Sequence, residues 1–126
     1  DTEELLARLR VALRRRAVGD SRSGRVRAGA VEIDLVERTV HRGGEEVRLT
    51  PKEWEFLAEL ARSPGRVLTH AQILRSVWGP AHERDVEYLR VTARALRLKL
   101  EDEPSMPRLL RNEPGVAYRL MAEAVV

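Results

Sequence analysis

Residues 84–101, RDVEYLRVTARALRLKLE, allow the fold to be inferred because they predict a long helix with two different faces. The stretch contains neither Gly nor Pro, and its apolar side chains recur at helical spacing. One stripe consists of Leu89, Ala93, Leu96 and Leu100. Such a stripe is typical of a helix that packs on a core.

Basic side chains occupy a second stripe of this predicted helix, at Arg90, Arg94 and Arg97. Residues 87–100 include four Lys or Arg residues and one acid. A basic, exposed helical face attracts a polyanion. An arginine-rich helix can also be an ordinary solvated surface, so the neighbouring segments must decide between the two.

The composition restricts the class of protein. A chain of 126 residues suits one domain with its own core. It contains no Cys, which excludes disulfide frameworks and thiolate metal sites. There is no apolar run long enough to span a membrane and no secretory signal, so we expect a soluble, cytoplasmic protein without a membrane partner. Because the chain starts with Asp1 rather than Met, we also expect it to be part of a longer protein.

Positive charge is unevenly distributed along the sequence. The formal net charge is +3, but residues 1–27 hold eight Arg against four acids, whereas residues 28–126 hold fifteen Lys or Arg against sixteen acids. Most of the chain is therefore close to neutral. The placement of charge on particular elements, and not the pI, bears on nucleic-acid binding.

The region before residue 26 predicts a helix and a linker. Residues 2–16 are amphipathic, with acids near the start and arginines near the end, which complements the helix dipole. A helix of this length is marginal alone, so its apolar face needs a partner. Residues 17–24 contain Gly, Ser and scattered charges, which indicates a flexible linker.

Short strands are predicted from residue 26 onwards. Apolar and polar residues alternate with a period of two, as in a small antiparallel sheet with one buried face. The candidate strands are Val26 and residues 31–35, 38–42 and 46–49. Gly43-Gly44 marks a tight turn between the last two.

Two capping boxes then predict the starts of two helices. Thr50 is followed three residues later by Glu53, and Thr69 is followed by Gln72. After the long helix, a closing hairpin is predicted from strands at 109–112 and 117–121. A short helix, a turn, a longer basic helix and a hairpin are the parts of a winged helix-turn-helix. The sequence therefore predicts an α+β fold with an N-terminal antiparallel sheet, three helices and a C-terminal β-hairpin wing.

Five motifs also occur together in a characteristic order. They are LTPKE (49–53), SPGRVL (63–68), VWG (77–79), Leu96-Arg97 with Lys99-Leu100, and Gly115 with Tyr118-Arg119. In order and spacing they resemble the OmpR/PhoB-type effector domain of bacterial response regulators, over about residues 26–123. Residues 77–80, 88–91 and 113–119 further resemble the branch that controls a high-affinity potassium-transport operon.

The resemblance implies a division of the chain into three parts. Residues 1–17 correspond to the terminal helix of a truncated receiver domain, 18–25 to a linker and 26–123 to the winged-helix DNA-binding domain. It also implies a homodimer through the missing receiver, a sensor histidine kinase that acts on that receiver, and RNA polymerase as partners in the bacterial cytoplasm. The loop 79–83 corresponds to one that touches the polymerase in relatives, although a plain connector is an equally good interpretation.

The family implies that the long helix enters the major groove of double-stranded promoter DNA. Its candidate contacts are Tyr88, Arg90, Val91, Thr92, Arg94, Ala95, Arg97 and Lys99. The arginines suit phosphate oxygens or guanine, and small apolar side chains suit thymine methyls. The face most directly opposite the core stripe contains Val91, Ala95 and Leu98, and Arg94 is the best candidate for a base contact. For each residue, simple solvent exposure is the alternative.

The predicted wing departs from the usual family pattern. Many relatives have Arg immediately before the hairpin Gly and a second Gly two residues after it, but this chain has Pro114 and Ala117. A minor-groove Arg contact from position 114 is therefore excluded. The candidate wing and backbone contacts are Trp78, Arg111, Asn112, Gly115 and Arg119, although Arg119 suits a neighbouring carboxylate equally well and Trp54 and Trp78 suit packing.

An enzyme is not indicated. His41, His70 and His82 lie far apart in sequence, so no metal site is predicted. No phosphate-binding loop or nucleophile motif is present, and we expect no catalytic residue and no cofactor. The main alternative function is a winged-helix protein-interaction module without DNA binding, because a fold alone does not fix function. The arginine stripe favours DNA.

Overall fold

The computed structural model describes residues 24–113 and 115–125. The predicted helix over residues 2–16 and all but the end of the predicted linker lie outside the described residues. The elements are β1 (Arg25–Ala28), β2 (Val31–Asp34), β3 (Thr39–Arg42), β4 (Glu45–Glu46), α1 (Pro51–Ala61), β5 (Val67–Thr69), α2 (His70–Trp78), α3 (Val86–Leu100), β6 (Leu110–Glu113), β7 (Ala117–Leu120) and β8 (Glu123–Val125), with a 3-10 turn at Pro80–His82.

The N-terminal sheet has the strand order β4-β3-β2-β1-β8, with antiparallel pairing throughout. Val26, Ile33 and Val40 are aligned across its three central strands, and each is at most 1% exposed. The predicted small antiparallel sheet with one buried face is thus confirmed. Gly43 and Gly44 both have positive φ, which the tight turn between β3 and β4 requires and which Gly adopts without steric cost.

Both predicted capping boxes are present. The Thr50 hydroxyl accepts from the Glu53 N–H while the Glu53 carboxylate accepts from the Thr50 N–H, and Thr69 and Gln72 exchange the same pair of bonds. These bonds satisfy backbone N–H groups that the first turn of a helix leaves unpaired. They fix where α1 and α2 begin.

The three helices pack on a core in which α3 is central. Its predicted core stripe of Leu89, Ala93, Leu96 and Leu100 is at most 4% exposed. Phe56 and Leu57 of α1 and Ile73 of α2 belong to the same buried cluster. The amphipathic pattern of residues 84–101 is therefore confirmed, with the helix itself starting at Val86 rather than Arg84.

The wing is a three-stranded sheet in the order β5-β7-β6. Gly115 has φ +78° in the β6–β7 turn, a conformation that favours Gly. Tyr118 of β7 meets Phe56 of α1 edge to face, with ring centroids 5.5 Å apart. This contact packs the hairpin against the helices and completes the predicted winged helix-turn-helix.

Several details differ from the sequence-based expectation. β5 and β8 are not predicted, and the strand expected at 46–49 is reduced to β4 because Leu49 leads into the cap of α1. Arg38, expected in a strand, lies in a turn with φ +59°. β1 begins at Arg25, which was expected to end the linker, and β8 extends the sheet to Val125.

Among the described helices, none is long and apolar enough to cross a membrane.

Candidate nucleic-acid interface

The exposed side of α3 carries large apolar side chains beside arginines. Val91 is 67% exposed and Leu98 is 62% exposed, whereas the core stripe on the other side of the helix is buried. Arg90 and Arg94 are also exposed, and Ala95 is half-buried. We call Arg90, Val91, Arg94, Ala95 and Leu98 the recognition face. This face therefore offers both apolar contact area and positive charge to a partner.

The two arginines of the recognition face differ in their contacts. Arg90 Nη1 lies 2.6 Å from Glu87 Oε1, and both side chains are largely exposed, so water and salt weaken this pair. The side chain of Arg94 makes no hydrogen bond or ion pair with any described residue. Its guanidinium is free to bind phosphate or a guanine edge without first losing an internal partner.

Arg97 has a different environment from Arg90 and Arg94. Its Nε and Nη2 both donate to the carbonyl oxygen of Leu110, at 3.2 and 3.0 Å. Its Cζ lies 5.9 Å from the centroid of the Tyr118 ring. These contacts direct the guanidinium toward the wing, so Arg97 does not share the unpartnered state of Arg94.

Lys99 and Thr92 also have partners inside the protein. Lys99 Nζ donates to the Arg48 carbonyl at 3.0 Å and to the Glu53 carboxylate. Thr92 is 8% exposed, and its hydroxyl donates to the Tyr88 carbonyl at 2.8 Å. The helical wheel placed Thr92 on an open flank, but the packing of α3 covers it. We therefore leave Thr92 out of the contact set proposed below.

Tyr88 lies in an aromatic cluster at the start of α3. Its ring is 5.8 Å from that of Trp78 and 5.6 Å from that of His82, and 42% of the residue remains exposed. Lys52 Nζ lies 5.8 Å from the Trp78 ring centroid and donates to the Val77 carbonyl at 2.7 Å. Trp78 thus packs at the junction between α2 and α3, while Tyr88 retains an exposed edge beside the recognition face.

His70, the first residue of α2, lies beside the wing. Its ring is 5.2 Å from that of Tyr118, and its Nε2 is buried without a hydrogen-bond partner among the described residues. Burial lowers the pKa of His70, and the positive charge of Arg90 lowers it further. Burial raises the pKa of Tyr118, although Arg97 and Arg90 oppose that rise. Both side chains are therefore neutral at pH 7.

The wing presents two arginines directly opposite each other. Arg111 of β6 and Arg119 of β7 are cross-strand partners, so their side chains lie on the same face of the sheet. Arg119 Nε is 3.3 Å from Glu113 Oε1 but does not meet hydrogen-bond geometry. Arg119 thus lies near a neighbouring carboxylate, the alternative to a DNA contact that we considered from the sequence. Arg111 and Asn112 are exposed.

Val116, in the turn of the β6–β7 hairpin, is not among the contacts predicted from the sequence. Val116 follows Gly115 at the turn and is 62% exposed. The signal was available, because a residue at the tip of a two-stranded hairpin has few neighbours to bury it. As for metals, no group of His, Asp or Glu in residues 24–113 and 115–125 has the arrangement of a metal site.

Residues 44–120 match the protein family described as transcriptional regulatory protein, C terminal. The chain is 47% identical over 118 residues to the KDP operon transcriptional regulatory protein KdpE of Escherichia coli (strain K12). The matched region covers 94% of this chain and 52% of KdpE. It thus spans about half the length of the curated relatives it matches.

Two solved structures have the same architecture. The response regulator DrrB of Thermotoga maritima, an OmpR/PhoB homologue, gives a TM-score of 0.75 at 32% identity, covering 94% of this chain and 51% of DrrB. The DNA-binding domain of RstA from Klebsiella pneumoniae, solved in complex with the RstA box, gives 0.63 at 28% identity, covering 76% of this chain and 95% of that one.

Proposed function

The chain belongs to the OmpR/PhoB-type family of transcriptional regulatory protein C-terminal domains, and from this membership we propose that it binds promoter DNA sequence-specifically as the output domain of a two-component response regulator. In this proposal α3 enters the major groove and the β6–β7 hairpin reaches the adjacent minor groove. The role is regulatory rather than enzymatic, in the bacterial cytoplasm.

The recognition face of α3 is the observation that carries the proposal. It combines two exposed arginines with Val91 and Leu98, which are 67% and 62% exposed. Arginines at the edge of the face suit phosphates, Arg94 also suits a base edge, and the apolar side chains suit thymine methyls. The face thus places large aliphatic side chains beside Arg94, whose side chain has no ion pair among the described residues, and beside Arg90, whose pair with Glu87 is exposed to solvent.

The proposed contacts divide into two groups. On α3 they are Tyr88 and the recognition face, namely Arg90, Val91, Arg94, Ala95 and Leu98. On the wing they are Arg111 and Asn112, with Gly115 at the turn and Val116 at the tip. Arg97, Lys99 and Arg119 have internal partners, which makes a second, direct role on DNA less favourable for them.

The similarity to KdpE supports a more specific regulatory target. The name of that protein refers to the KDP operon, and the two chains are 47% identical over 118 residues. We propose that the present chain belongs to a regulator of potassium transport. A footprint on the promoter nearest its own gene tests this assignment directly.

The partners in the proposal follow from the family and not from the described residues. They are a homodimer formed through a receiver domain, the sensor histidine kinase that phosphorylates that receiver, and RNA polymerase near the turn at Pro80–His82. Residues 1–17 would then be the last helix of the receiver. Sedimentation of this chain beside a full-length protein tests the dimer arrangement.

We predict that Arg94→Ala weakens binding to a duplex selected by the chain from a randomised library. The loss is about fivefold or more if Arg94 contacts a base, since a bidentate contact of Arg with guanine is worth roughly 1–3 kcal/mol. If Arg94 contacts a phosphate, the slope of log K against log salt also falls by about 1. Fluorescence anisotropy at several salt concentrations measures both quantities.

Arg27→Ala is the matched control for Arg94→Ala. Arg27 is also exposed, but it lies on β1 and pairs with Glu32 at 3.0 Å. Removing the same charge there should change affinity little. Equal losses in the two variants would mean that only net charge matters, and failure of the unmodified chain to select any duplex would favour the protein-interaction module.

A further inference from the structure

Two residues at the end of α3 bind Leu110, the first residue of β6 in the wing, through both its backbone N–H and its carbonyl. Arg97 donates from Nε and Nη2 to the Leu110 carbonyl, at 3.2 and 3.0 Å. The carboxylate of Glu101, which caps the end of α3, accepts from the Leu110 N–H at 2.8 Å. Leu110 begins β6 and is buried. The helix and the wing therefore meet at a fixed point.

Glu101 accepts hydrogen bonds from two further backbone N–H groups besides that of Leu110. Its carboxylate also accepts from the N–H groups of Arg108, at 2.9 Å, and Leu109, at 3.0 Å. The residue is only 5% exposed, and hydrogen bonds to a carboxylate are stronger than those between neutral groups. Loss of the charge would weaken three consecutive N–H contacts that lead into β6.

Arg97 contacts both strands of the hairpin. It binds β6 through the Leu110 carbonyl and lies 5.9 Å from the ring of Tyr118 in β7. Tyr118 is 4% exposed, so its ring is itself fixed by the core. A planar guanidinium presents its donors in a rigid fork and stacks on aromatic faces, whereas the compact ammonium of Lys sits on a flexible stem, so the two side chains are not interchangeable at such a site.

We propose that Arg97 is a positioning residue that acts with Glu101 to fix the wing relative to the recognition face. The inference rests on the proposed DNA-binding function, because its consequence is that α3 and the wing reach DNA in one fixed geometry. Arg94 lies three residues earlier on the same helix, and its side chain makes no hydrogen bond or ion pair with the described residues of the wing. The arginines of the stripe thus have different roles: Arg94 binds DNA, and Arg97 places the wing.

The first test needs no DNA. Arg97→Lys keeps the positive charge but loses the two-donor fork, so amide hydrogen exchange over residues 110–113 and 117–120 should become about tenfold faster or more. Arg94→Lys is the matched control and should leave those amides unchanged. Exchange in α1 serves as the reference that each variant is folded. Unchanged wing exchange in Arg97→Lys would overturn the proposal.

The second test uses Glu101→Gln on the same selected duplex. Removing a negative charge should strengthen DNA binding if only electrostatics matters. Our proposal expects the reverse: faster exchange in the wing and binding weakened by about tenfold, with a similar loss in Arg97→Lys. Full binding by Arg97→Lys would identify Arg97 as a simple charge contact and contradict the positioning role. If the unmodified chain binds no duplex, the proposed function fails, while the exchange data still decide whether Arg97 holds the wing.

Discussion

Glu53 links two helices through one buried carboxylate. It accepts from the Thr50 N–H at the start of α1 and from the ammonium of Lys99 on α3. Burial acts to raise the pKa of Glu53, but the hydrogen bonds from Lys99 and Thr50 and the charge of Lys99 outweigh it, so the pKa lies below its ordinary value of 4.5. The charged form of Glu53 is therefore the form that stabilises the fold.

Glu53→Gln tests this link and gives it a pH dependence. Glutamine can still accept from the Thr50 N–H, so the substitution removes mainly the charge that Lys99 binds. We expect the free energy of unfolding to fall by about 1 kcal/mol near pH 7. The loss is smaller than for a fully buried ion pair, because the Lys99 side chain is 34% exposed and solvent screens its charge. Because its pKa is lower in the folded state than in the unfolded state, the Glu53 carboxylate stabilises the fold at pH values above the unfolded-state pKa. The difference in free energy of unfolding between the unmodified chain and Glu53→Gln should therefore shrink as the pH falls below about 4.5.

Urea unfolding at pH 7 and in steps down to pH 3.5 measures the Glu53→Gln difference. Glu55→Gln is the control, because Glu55 lies on the same helix and pairs with Lys52 at the surface, where both side chains are over 40% exposed. A Glu53→Gln difference that stays constant across the pH range would show that its charge contributes nothing to the fold.

One face of α3 packs on the core, and the opposite face is exposed for binding DNA. Leu96 is 1% exposed and Leu98 is 62% exposed, although they are only two positions apart. Because an α-helix turns by about 100° per residue, two positions suffice to move a side chain from the core to the opposite half of the surface. The same residue type thus has two different roles within one helix.

Leu96→Ala and Leu98→Ala form a matched pair of substitutions. We expect Leu96→Ala to lower the free energy of unfolding by about 2–5 kcal/mol, since it leaves a cavity in the core. Leu98→Ala should stay within about 0.5 kcal/mol of the unmodified chain. It should instead weaken binding to the selected duplex, by roughly threefold to tenfold, because it removes apolar contact area. Denaturant unfolding and anisotropy separate the two effects, and a destabilised Leu98→Ala would contradict the assignment of faces.

Local signals in the sequence predict most of the fold. The capping boxes at Thr50 and Thr69, the core stripe of α3 and the Gly43-Gly44 turn are each specified by residues close together in the chain. β5 and β8 are different, because each is only three residues long and has no alternating pattern. Each forms a strand by pairing with a segment far away in the sequence, β7 and β1 respectively. Pairing of that kind depends on tertiary contacts, which a single sequence does not display.

The candidate site shows the same division. The helical wheel correctly separates the buried stripe from the exposed Val91 and Leu98. It cannot show that Arg97 donates to Leu110 or that Lys99 binds Glu53, because these partners lie on other elements. Charge on a helix is therefore visible in the sequence, whereas the partner of that charge depends on the packing of the whole domain.

The two ends of the described chain meet in one sheet. β8 pairs with β1 through Val26 opposite Ala124 and Arg27 opposite Glu123, although these residues are nearly a hundred positions apart. Without β8, β1 would become an edge strand with unpaired backbone groups. Its five strands, β1 to β4 and β8, are separate from the β5-β7-β6 sheet of the wing, and the residues of the recognition face all belong to α3.

Deletion of residues 123–126 should therefore separate stability from DNA binding. We expect the free energy of unfolding to fall by an amount on the order of 1–3 kcal/mol, since a few strand hydrogen bonds at about 1 kcal/mol each are lost. Affinity for the selected duplex, measured below the unfolding transition, should change less than twofold, because α3 and the wing keep their own contacts. The Leu98→Ala variant, with stability retained and affinity reduced, is the complementary control. If the truncated chain still shows a cooperative unfolding transition but binds the duplex poorly, β8 supports the DNA-binding surface and not only the N-terminal sheet.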